Sequence, residues 1–283
     1  MFTVLDQISW PGSRDRPNED ACGTAGDWAW VIDTSIFPGT GSFMHPGSDA
    51  AWLASFANER FAALAPSATD GPALVRWIMQ EARHAFLAAA REDRLDRRTW
   101  PVGALTLVRG RDDRLEIWTF GDTTAYLRRP DGMVMTLGEA PDLRRAESAK
   151  AAELLQAAGC ALKDILQAPV FRDWLTKLRE AQNRNGGVPL FGLEPGTADR
   201  MRHEAVSLPY GSSVLLASDG FAALVDLYRV LDAQALLERA LATGLQPLVA
   251  EARRIETEVD PDGLRYPRFK TSDDATALLL AWK

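Results

Sequence analysis

Cysteine and histidine are scarce in this sequence, with two cysteines and three histidines among 283 residues. Cys22 and Cys160 are too few for a disulfide framework and have no metal-ligand spacing. We interpret them as reduced thiols, with a bridge between them as the alternative. His45, His84 and His203 are not spaced for a zinc site. No Cys–His or Ser–His pair stands out as a nucleophile and its base.

Long apolar runs and an excess of basic residues are also missing. The longest apolar runs, such as residues 214–217 and 275–282, are far too short to cross a bilayer, and residues 1–10 show no signal-peptide pattern. The formal net charge of −7 argues against a nucleic-acid partner. We therefore expect a cytoplasmic monomer that binds neither membranes nor nucleic acid.

The order of the predicted elements indicates an α+β fold in a single domain, residues 1–283. Strand patterns occur at residues 2–8, 27–33, 102–108, 114–120, 124–128, 133–137, 202–208, 212–217 and 275–282. Helical patterns occur at residues 48–63, 71–91, 220–228, 233–241 and 245–257. Consecutive strands joined by short turns predict antiparallel pairing.

The segment from about residue 140 to residue 187 has a helical composition and interrupts the strand patterns. We predict a helical insertion over the β core. The many charges between residues 143 and 184 favour a solvated helical face. A flap that selects substrates is the alternative, because the segment lies between motifs that border the candidate site.

Acidic residues stand at the ends of several predicted strands. Asp33 ends one strand, Asp219 follows another, Asp273 and Asp274 precede the last, and Asp20 closes a loop. An acid in such a place is unfavourable unless it is solvated, paired or bound to a cation. Each one alone has an ordinary explanation as a turn or helix cap. Together they predict a cation site, and carboxylates favour Mg²⁺ or Mn²⁺.

Six short motifs follow one another along the chain. They are RDRPNED at 14–20, VIDTSIFPG at 31–39, VGALTL at 102–107, FGDTTAYL at 120–127, LLASDGF at 215–221 and DDAT at 273–276. In type and order they resemble the motifs of the metal-dependent protein serine/threonine phosphatases of the 2C type. This resemblance implies a four-layer αββα sandwich, in which helices flank two packed antiparallel sheets.

The resemblance also implies a role for each matching residue. Asp33 would bridge two Mg²⁺ or Mn²⁺ ions, and Asp122 matches an acid associated with a third, weakly bound ion. Asp33 and Asp219 are the catalytic candidates. The full set of implied metal-site residues is Glu19, Asp20, Asp33, the carbonyl of Thr34, Asp122, Asp219, Gly220, Asp273 and Asp274.

The chemistry that the resemblance implies is phosphate hydrolysis. Two adjacent cations can activate a water for in-line attack on phosphorus and offset the charge that develops there. Because a guanidinium can grip two phosphate oxygens, Arg14 and Arg16 are the phosphate-binding candidates. The predicted function is removal of phosphate from phosphoserine and phosphothreonine, with a phosphorylated protein as the partner.

The first two motifs depart from the family pattern. Thr34 stands where the family has glycine, and residues 35–37 replace the glycine pair that follows. Asp15 occupies the usual arginine position. The departure at residues 34–37 supports one alternative, a degenerate phosphatase that binds phosphoproteins or another partner without turnover. A second alternative, supported by the insertion after Asp142, is an enzyme for small phosphoesters with a narrowed site.

Overall fold

The computed structural model describes residues 1–44, 47–90, 96–138, 140–182, 184 and 186–283, without the side chains of residues 140–142. The strands are β1 (Phe2–Trp10), β2 (Asp20–Ala25), β3 (Trp28–Ser35), β4 (Val102–Arg111), β5 (Arg114–Phe120), β6 (Thr124–Arg128), β7 (Val134–Leu137), β8 (Phe191–Gly192), β9 (Arg202–Ser207), β10 (Ser213–Ala217) and β11 (Ala275–Trp282). The helices are α1 (Asp49–Leu64), α2 (Gly71–Ala89), α3 (Ala140–Ala158), α4 (Pro169–Ala181), α5 (Asp219–Asp226), α6 (Ala233–Thr243) and α7 (Gln246–Arg254).

The strands form two antiparallel sheets. One has the order β1-β11-β10-β6-β7. The other has the order β2-β3-β4-β5-β9, and β8 pairs with the start of β4. Apolar side chains from both sheets, including Val31, Ile117, Leu216 and Leu278, pack into one buried cluster. The sheets therefore stack face to face, as alternating inward side chains require.

Helices cover both outer faces of this sandwich. Helices α1 and α2 pack on the second sheet through a cluster that contains Trp30, Phe61 and Phe86. Helices α5, α6 and α7 pack on the first sheet through Phe221, Leu237 and other apolar residues. The predicted α+β fold, with two packed antiparallel sheets flanked by helices, is confirmed.

The insertion has a small apolar core of its own. Leu154 of α3 and Phe171 and Leu175 of α4 pack together with residues of the short helical turn between these helices. Phe37 and Phe269, from two loops outside the insertion, pack against this cluster. The insertion is thereby attached to the loop that follows β3. Asn183 and Asn185, near its predicted end, lie outside the described residues.

Strands β2 and β8 were missed from the sequence. Strand β2 contains a glycine where packing leaves no room for a side chain: a Cβ on Gly23 would lie 2.7 Å from Cζ2 of Trp30. Close packing therefore gives β2 a composition that is untypical of strands. Strand β8 has only 2 residues and is defined by its pairing with β4. The helix predicted at 71–91 is α2, and Arg91 lies outside the described residues.

Candidate active site

Two of the predicted acids are cross-strand partners. In the ladder between β2 and β3, Asp20 lies opposite Asp33, and Asp33 in turn lies opposite Ala104 of β4. The pKa of Asp33 is raised well above its usual range, first by burial and then by the charges of Asp20, Asp219 and other acids. The strand register thus brings acids that are far apart in sequence into one cluster.

The turn between β10 and α5 is fixed to the start of β11. The Ser218 amide donates to the Thr276 carbonyl at 2.9 Å, and the Ser218 hydroxyl accepts from the Thr276 amide at 2.9 Å. A Cβ on Gly220 would lie 2.0 Å from the carbonyl oxygen of Asp274. Glycine is therefore required here by close backbone approach, and this packing sets Asp219 beside the residues that precede β11.

Asp274 holds the N-terminal loop against the site. Its Oδ1 accepts from the Gly12 amide at 2.8 Å, and its Oδ2 accepts from the Glu19 amide at 2.7 Å. The Glu19 carboxylate in turn accepts from the Ser48 hydroxyl, which also caps α1. Both carboxylate oxygens of Asp274 are thus engaged in positioning the loop that leads into Asp20.

Thr34, which replaces a family glycine, fits without strain. Its hydroxyl lies 2.6 Å from the Glu19 carbonyl and 2.8 Å from the Ala50 carbonyl, and its amide donates to the Glu19 carbonyl at 3.1 Å. The side chain is buried. It therefore ties β3 to both the Glu19 loop and the first turn of α1.

Some carboxylate oxygens of the acid cluster lack a hydrogen-bond donor. Among the described residues, Oδ2 of Asp20 and Oδ1 of Asp219 are buried and have no hydrogen-bond partner. Burial, followed by the charge of Asp274, raises the pKa of Asp20 well above its usual range. Burial and the neighbouring charge of Asp219 raise the pKa of Asp122 to about 7. Unsatisfied buried carboxylates are the ligands that a hard divalent cation prefers, so the donor set fits Mg²⁺ or Mn²⁺.

Glu147 of α3 joins this cluster from the insertion. Carboxylate oxygens of Asp122, Glu147 and Asp219 all lie within 4.8 Å of one another. Nothing in the sequence pointed to Glu147, because it stands in a charged stretch with helical composition. Its position depends on how α3 packs over α5.

Two cations face the acids. Lys270 Nζ donates to Asp273 Oδ1 at 2.6 Å. Burial alone would raise the pKa of Asp273, but the charge and hydrogen bond of Lys270, together with the charge of Arg144 and the Asp274 amide, lower it. Arg144 Nη2 lies 2.6 Å from Asp219 Oδ2, and Arg144 Nη1 lies 3.2 Å from Glu147 Oε2. The prediction of a solvated face for residues 143–184 is therefore wrong for Arg144, which is only 7 % exposed.

A cavity of about 930 Å³ opens beside the acid cluster. Asp33, Asp219 and Asp273 line it, and so do residues of α3 and α4. Arg16 lines the cavity as an exposed side chain, whereas Arg14 is exposed and is not among its lining residues. His45 lies outside the described residues.

The close contact between β3 and β4 gives a test of how Asp33 is held. A Cβ on Gly103 would lie 2.3 Å from the Asp33 carbonyl oxygen, so we expect Gly103→Ala to displace Asp33. The free energy of unfolding should fall by about 2 kcal/mol, and Mn²⁺ affinity in calorimetry should fall as well. Gly132→Ala is the control, because that hairpin glycine has a positive φ and open surroundings. It should lower stability alone, and equal Mn²⁺ affinity in both variants would contradict the prediction.

The raised pKa values of the acids predict an unusual dependence of stability on pH. The folded metal-free protein holds protons on Asp122 and Asp226, with pKa values of about 7 and about 6, at pH values where the unfolded chain has lost them. Its stability should therefore rise as the pH falls from 8 to 6. Mn²⁺ affinity should fall over the same range, because the ligands must be deprotonated to bind metal. Melting curves with a chelator and with Mn²⁺ measure both; parallel pH trends would refute this expectation.

Comparison with known proteins identifies the family. A family model described as protein phosphatase 2C matches residues 12–254. No curated protein sequence matches the chain significantly. The serine/threonine phosphatase Stp1 from Staphylococcus aureus is 12 % identical with a TM-score of 0.58, covering 99 % of this chain and 96 % of that chain.

Two further solved structures share the fold at similar identity. The serine/threonine phosphatase from S. agalactiae is 13 % identical with a TM-score of 0.56, covering 100 % of both chains. The catalytic domain of the phosphatase PstP, solved with 2 manganese ions, is 14 % identical with a TM-score of 0.52, covering 99 % of this chain and 97 % of that chain. The family match confirms the resemblance seen in the six motifs. The chain belongs to the protein phosphatase 2C family.

Proposed function

We propose that this protein removes phosphate from phosphoserine and phosphothreonine in other proteins, at the acid cluster beside the cavity. Family membership gives the reaction class, metal-dependent protein phosphatase. The observation that supports this site most directly is the pair of buried, unpartnered carboxylate oxygens on Asp20 and Asp219. Asp20, Asp219 and Asp33 belong to one cluster, in which the negative charges repel one another and raise the pKa values of Asp20 and Asp33. The strands and turns that carry these acids come from both sheets.

The metal ligands are assigned by chemistry and by place in the cluster. The charge of Asp33 interacts with those of Asp20, Asp219 and Asp273, so Asp33 is the bridging candidate, and the Thr34 carbonyl is a further candidate ligand. The other candidates are Glu19, Asp20, Asp219 and Asp273 for two Mg²⁺ or Mn²⁺ ions, and Asp122 with Glu147 for a third, weaker ion. When bound, such cations activate a water for attack on phosphorus and offset the developing charge.

Other residues hold the ligands in place. Asp274, with both oxygens on backbone amides, positions the loop of Glu19 and Asp20. Arg253 donates to the Asp273 carbonyl at 2.6 Å and thereby fixes the start of β11. Gly220 permits the close approach of α5 to this segment. These contacts assign the three residues to positioning of the metal ligands. Interactions of this kind around a metal ligand commonly change the metal affinity 10- to 100-fold.

The altered second motif is the main reason to consider a degenerate phosphatase that binds a partner without hydrolysing phosphate. Thr34 lies in regular strand geometry, and its side chain stabilises the Glu19 loop rather than distorting it. Every acid of the resemblance is also present. We therefore favour an active enzyme over a binding module that lacks turnover.

A turnover assay tests this proposal. Wild-type protein should hydrolyse phosphothreonine peptides and an aryl phosphate in the presence of Mn²⁺ or Mg²⁺, and Asp219→Ala should not. Protein phosphatase activity predicts a higher kcat/KM for the peptide than for small phosphoesters of sugars or nucleosides. The opposite order would favour the small-molecule alternative. Equal background rates in wild type and variant would eliminate the enzyme.

We further propose that the protein works as one catalytic unit over residues 1–283, as a cytoplasmic monomer with phosphoproteins as partners. The insertion at about 140–187 contributes to the same cavity as the β core, which supports a single unit. None of the helices in the described ranges is long and apolar enough to cross a membrane. The negative net charge of −7 disfavours nucleic acid. Light scattering tests the monomer, and a stable dimer would contradict it.

A further inference from the structure

Arg179 of α4 is a buried cation with no role in the proposed metal site. Its side chain is 4 % exposed and lines the cavity beside the acid cluster. One guanidinium nitrogen, Nη2, donates to the Ser35 hydroxyl at 2.9 Å. Among the described residues, the other two nitrogens, Nε and Nη1, have no hydrogen-bond partner. Most of the five N–H donors of this guanidinium are therefore unused in a desolvated place.

The other buried or half-buried cations of the cavity wall are paired with carboxylates. Arg144 pairs with Asp219, and Lys270 pairs with Asp273. Arg268 likewise pairs with Asp260 at 2.9 Å. Within the described part of the chain, no carboxylate lies at ion-pair distance from Arg179. Desolvation lowers the pKa of Arg179 to about 10, and the more distant charge of Glu19 opposes this only in part.

The place of Arg179 relative to the acids is set by β3. Ser35, its hydrogen-bond partner, is two residues beyond Asp33 on this strand. Alternate residues of a strand point to the same face, and two residues span roughly 7 Å. Thr34 between them is buried on the opposite face. The guanidinium is therefore anchored on the same face of β3 as the Asp33 carboxylate, and Asp33, Ser35 and Arg179 all line the cavity.

We propose that Arg179 is the residue that binds the phosphoryl group of the substrate in this protein. A dianionic phosphoryl group would supply acceptors for the unused N–H groups and compensate the buried charge. This assigns to the insertion a role that the sequence assigned to Arg14 or Arg16, both of which are exposed. The proposal rests on the proposed function for the identity of the anion, and its test uses phosphate binding as well as turnover.

Binding of inorganic phosphate to the 283-residue chain is the primary test. Calorimetry with Mn²⁺ present should show that Arg179→Gln weakens phosphate binding about 10- to 100-fold, the range for a lost charged hydrogen-bonding group. Arg179→Lys should recover part of this loss, because it keeps the charge but not the fork of donors. The matched control is Arg172→Gln, on the same helix, where the side chain lies over the Phe37 ring. It should leave phosphate affinity unchanged.

Melting temperature and kinetics separate binding from folding. Without phosphate, Arg179→Gln should melt no lower than wild type, because it removes an unpaired buried charge. Phosphate should raise the melting temperature of wild type and not that of the variant. With an aryl phosphate, the variant should show a raised KM and an increased Ki for phosphate, with unchanged Mn²⁺ affinity.

Two results would overturn the proposal. One is an Arg179→Gln variant that binds phosphate with the affinity of the wild type. A loss of phosphate binding in Arg16→Gln would then assign the phosphoryl group to Arg16. The other is a wild-type protein that binds no phosphate with Mn²⁺ present. Failure of the proposed function looks different: phosphate then binds through Arg179, but phosphopeptides are not hydrolysed.

Discussion

Asp33→Asn is expected to lower kcat/KM for Mn²⁺-dependent phosphopeptide hydrolysis by about a thousandfold or more. Metal-ion stabilisation of a transition state is worth several kcal/mol, and each 1.36 kcal/mol is a factor of about ten in rate. The negative charges of four other acids act on Asp33 and raise its pKa: Asp20, Asp219, Asp122 and Asp273. Removing its charge should therefore weaken the whole ligand set rather than a single contact.

The same substitution should stabilise the metal-free protein. The folded-state pKa of Asp33 is raised by burial and by like charges, so at neutral pH its ionised form is unfavourable in the fold. Asparagine removes this repulsion while keeping the shape. The melting temperature with a chelator present should rise, although activity is lost. The control is Asp113→Asn in the exposed turn between β4 and β5, which should change neither quantity. A variant that loses activity because it is unfolded would contradict this expectation.

Arg144→Met should have the opposite effect on stability. Arg144 is 7 % exposed, and its guanidinium nitrogens lie 2.6 Å from Asp219 and 3.7 Å from Asp226. Breaking a buried ion pair by removing one partner leaves an uncompensated charge and costs about 3–5 kcal/mol. The metal-free variant should therefore unfold at a much lower denaturant concentration than wild type.

Divalent cations should reverse much of this loss. A ligand that binds only the folded state stabilises it by mass action, and the variant offers Asp219 and Glu147 free of their arginine. Mn²⁺ should thus raise the melting temperature of Arg144→Met more than that of wild type. Arg145→Met, at the exposed neighbouring position of α3, is the control. An equal response to Mn²⁺ in both variants would show that Arg144 does not compete with metal.

The sequence predicted the β core and the acids better than it predicted their surroundings. Asp33, Asp219 and Asp273 stand at the ends of apolar runs in the sequence. In the structure they lie near the end of β3, after β10 and before β11, and they belong to one acid cluster. Strand β2 could not be predicted in the same way. Its glycine is dictated by the Trp30 ring on the neighbouring strand, which is a tertiary contact.

The residues contributed by the insertion carried no usable signal. Arg144, Glu147 and Arg179 look like ordinary charges of a solvated helix, yet Arg144 and Arg179 are buried. Their burial follows from the packing of α3 and α4 on loops that hold Phe37 and Phe269. The role of Thr34 was equally hidden, because its carbonyl partners belong to the Glu19 loop and to α1. Only the assembled structure reveals these contacts.

Anomalous scattering from crystals of this chain grown with Mn²⁺ shows whether the acids of both sheets form one metal centre. We predict two strong peaks within bonding distance of carboxylate oxygens, both in contact with Asp33, and Arg144 moved away from Asp219. Crystals with no peak in this cluster, or with Mn²⁺ bound only elsewhere on the surface, would show that these acids are not a metal centre.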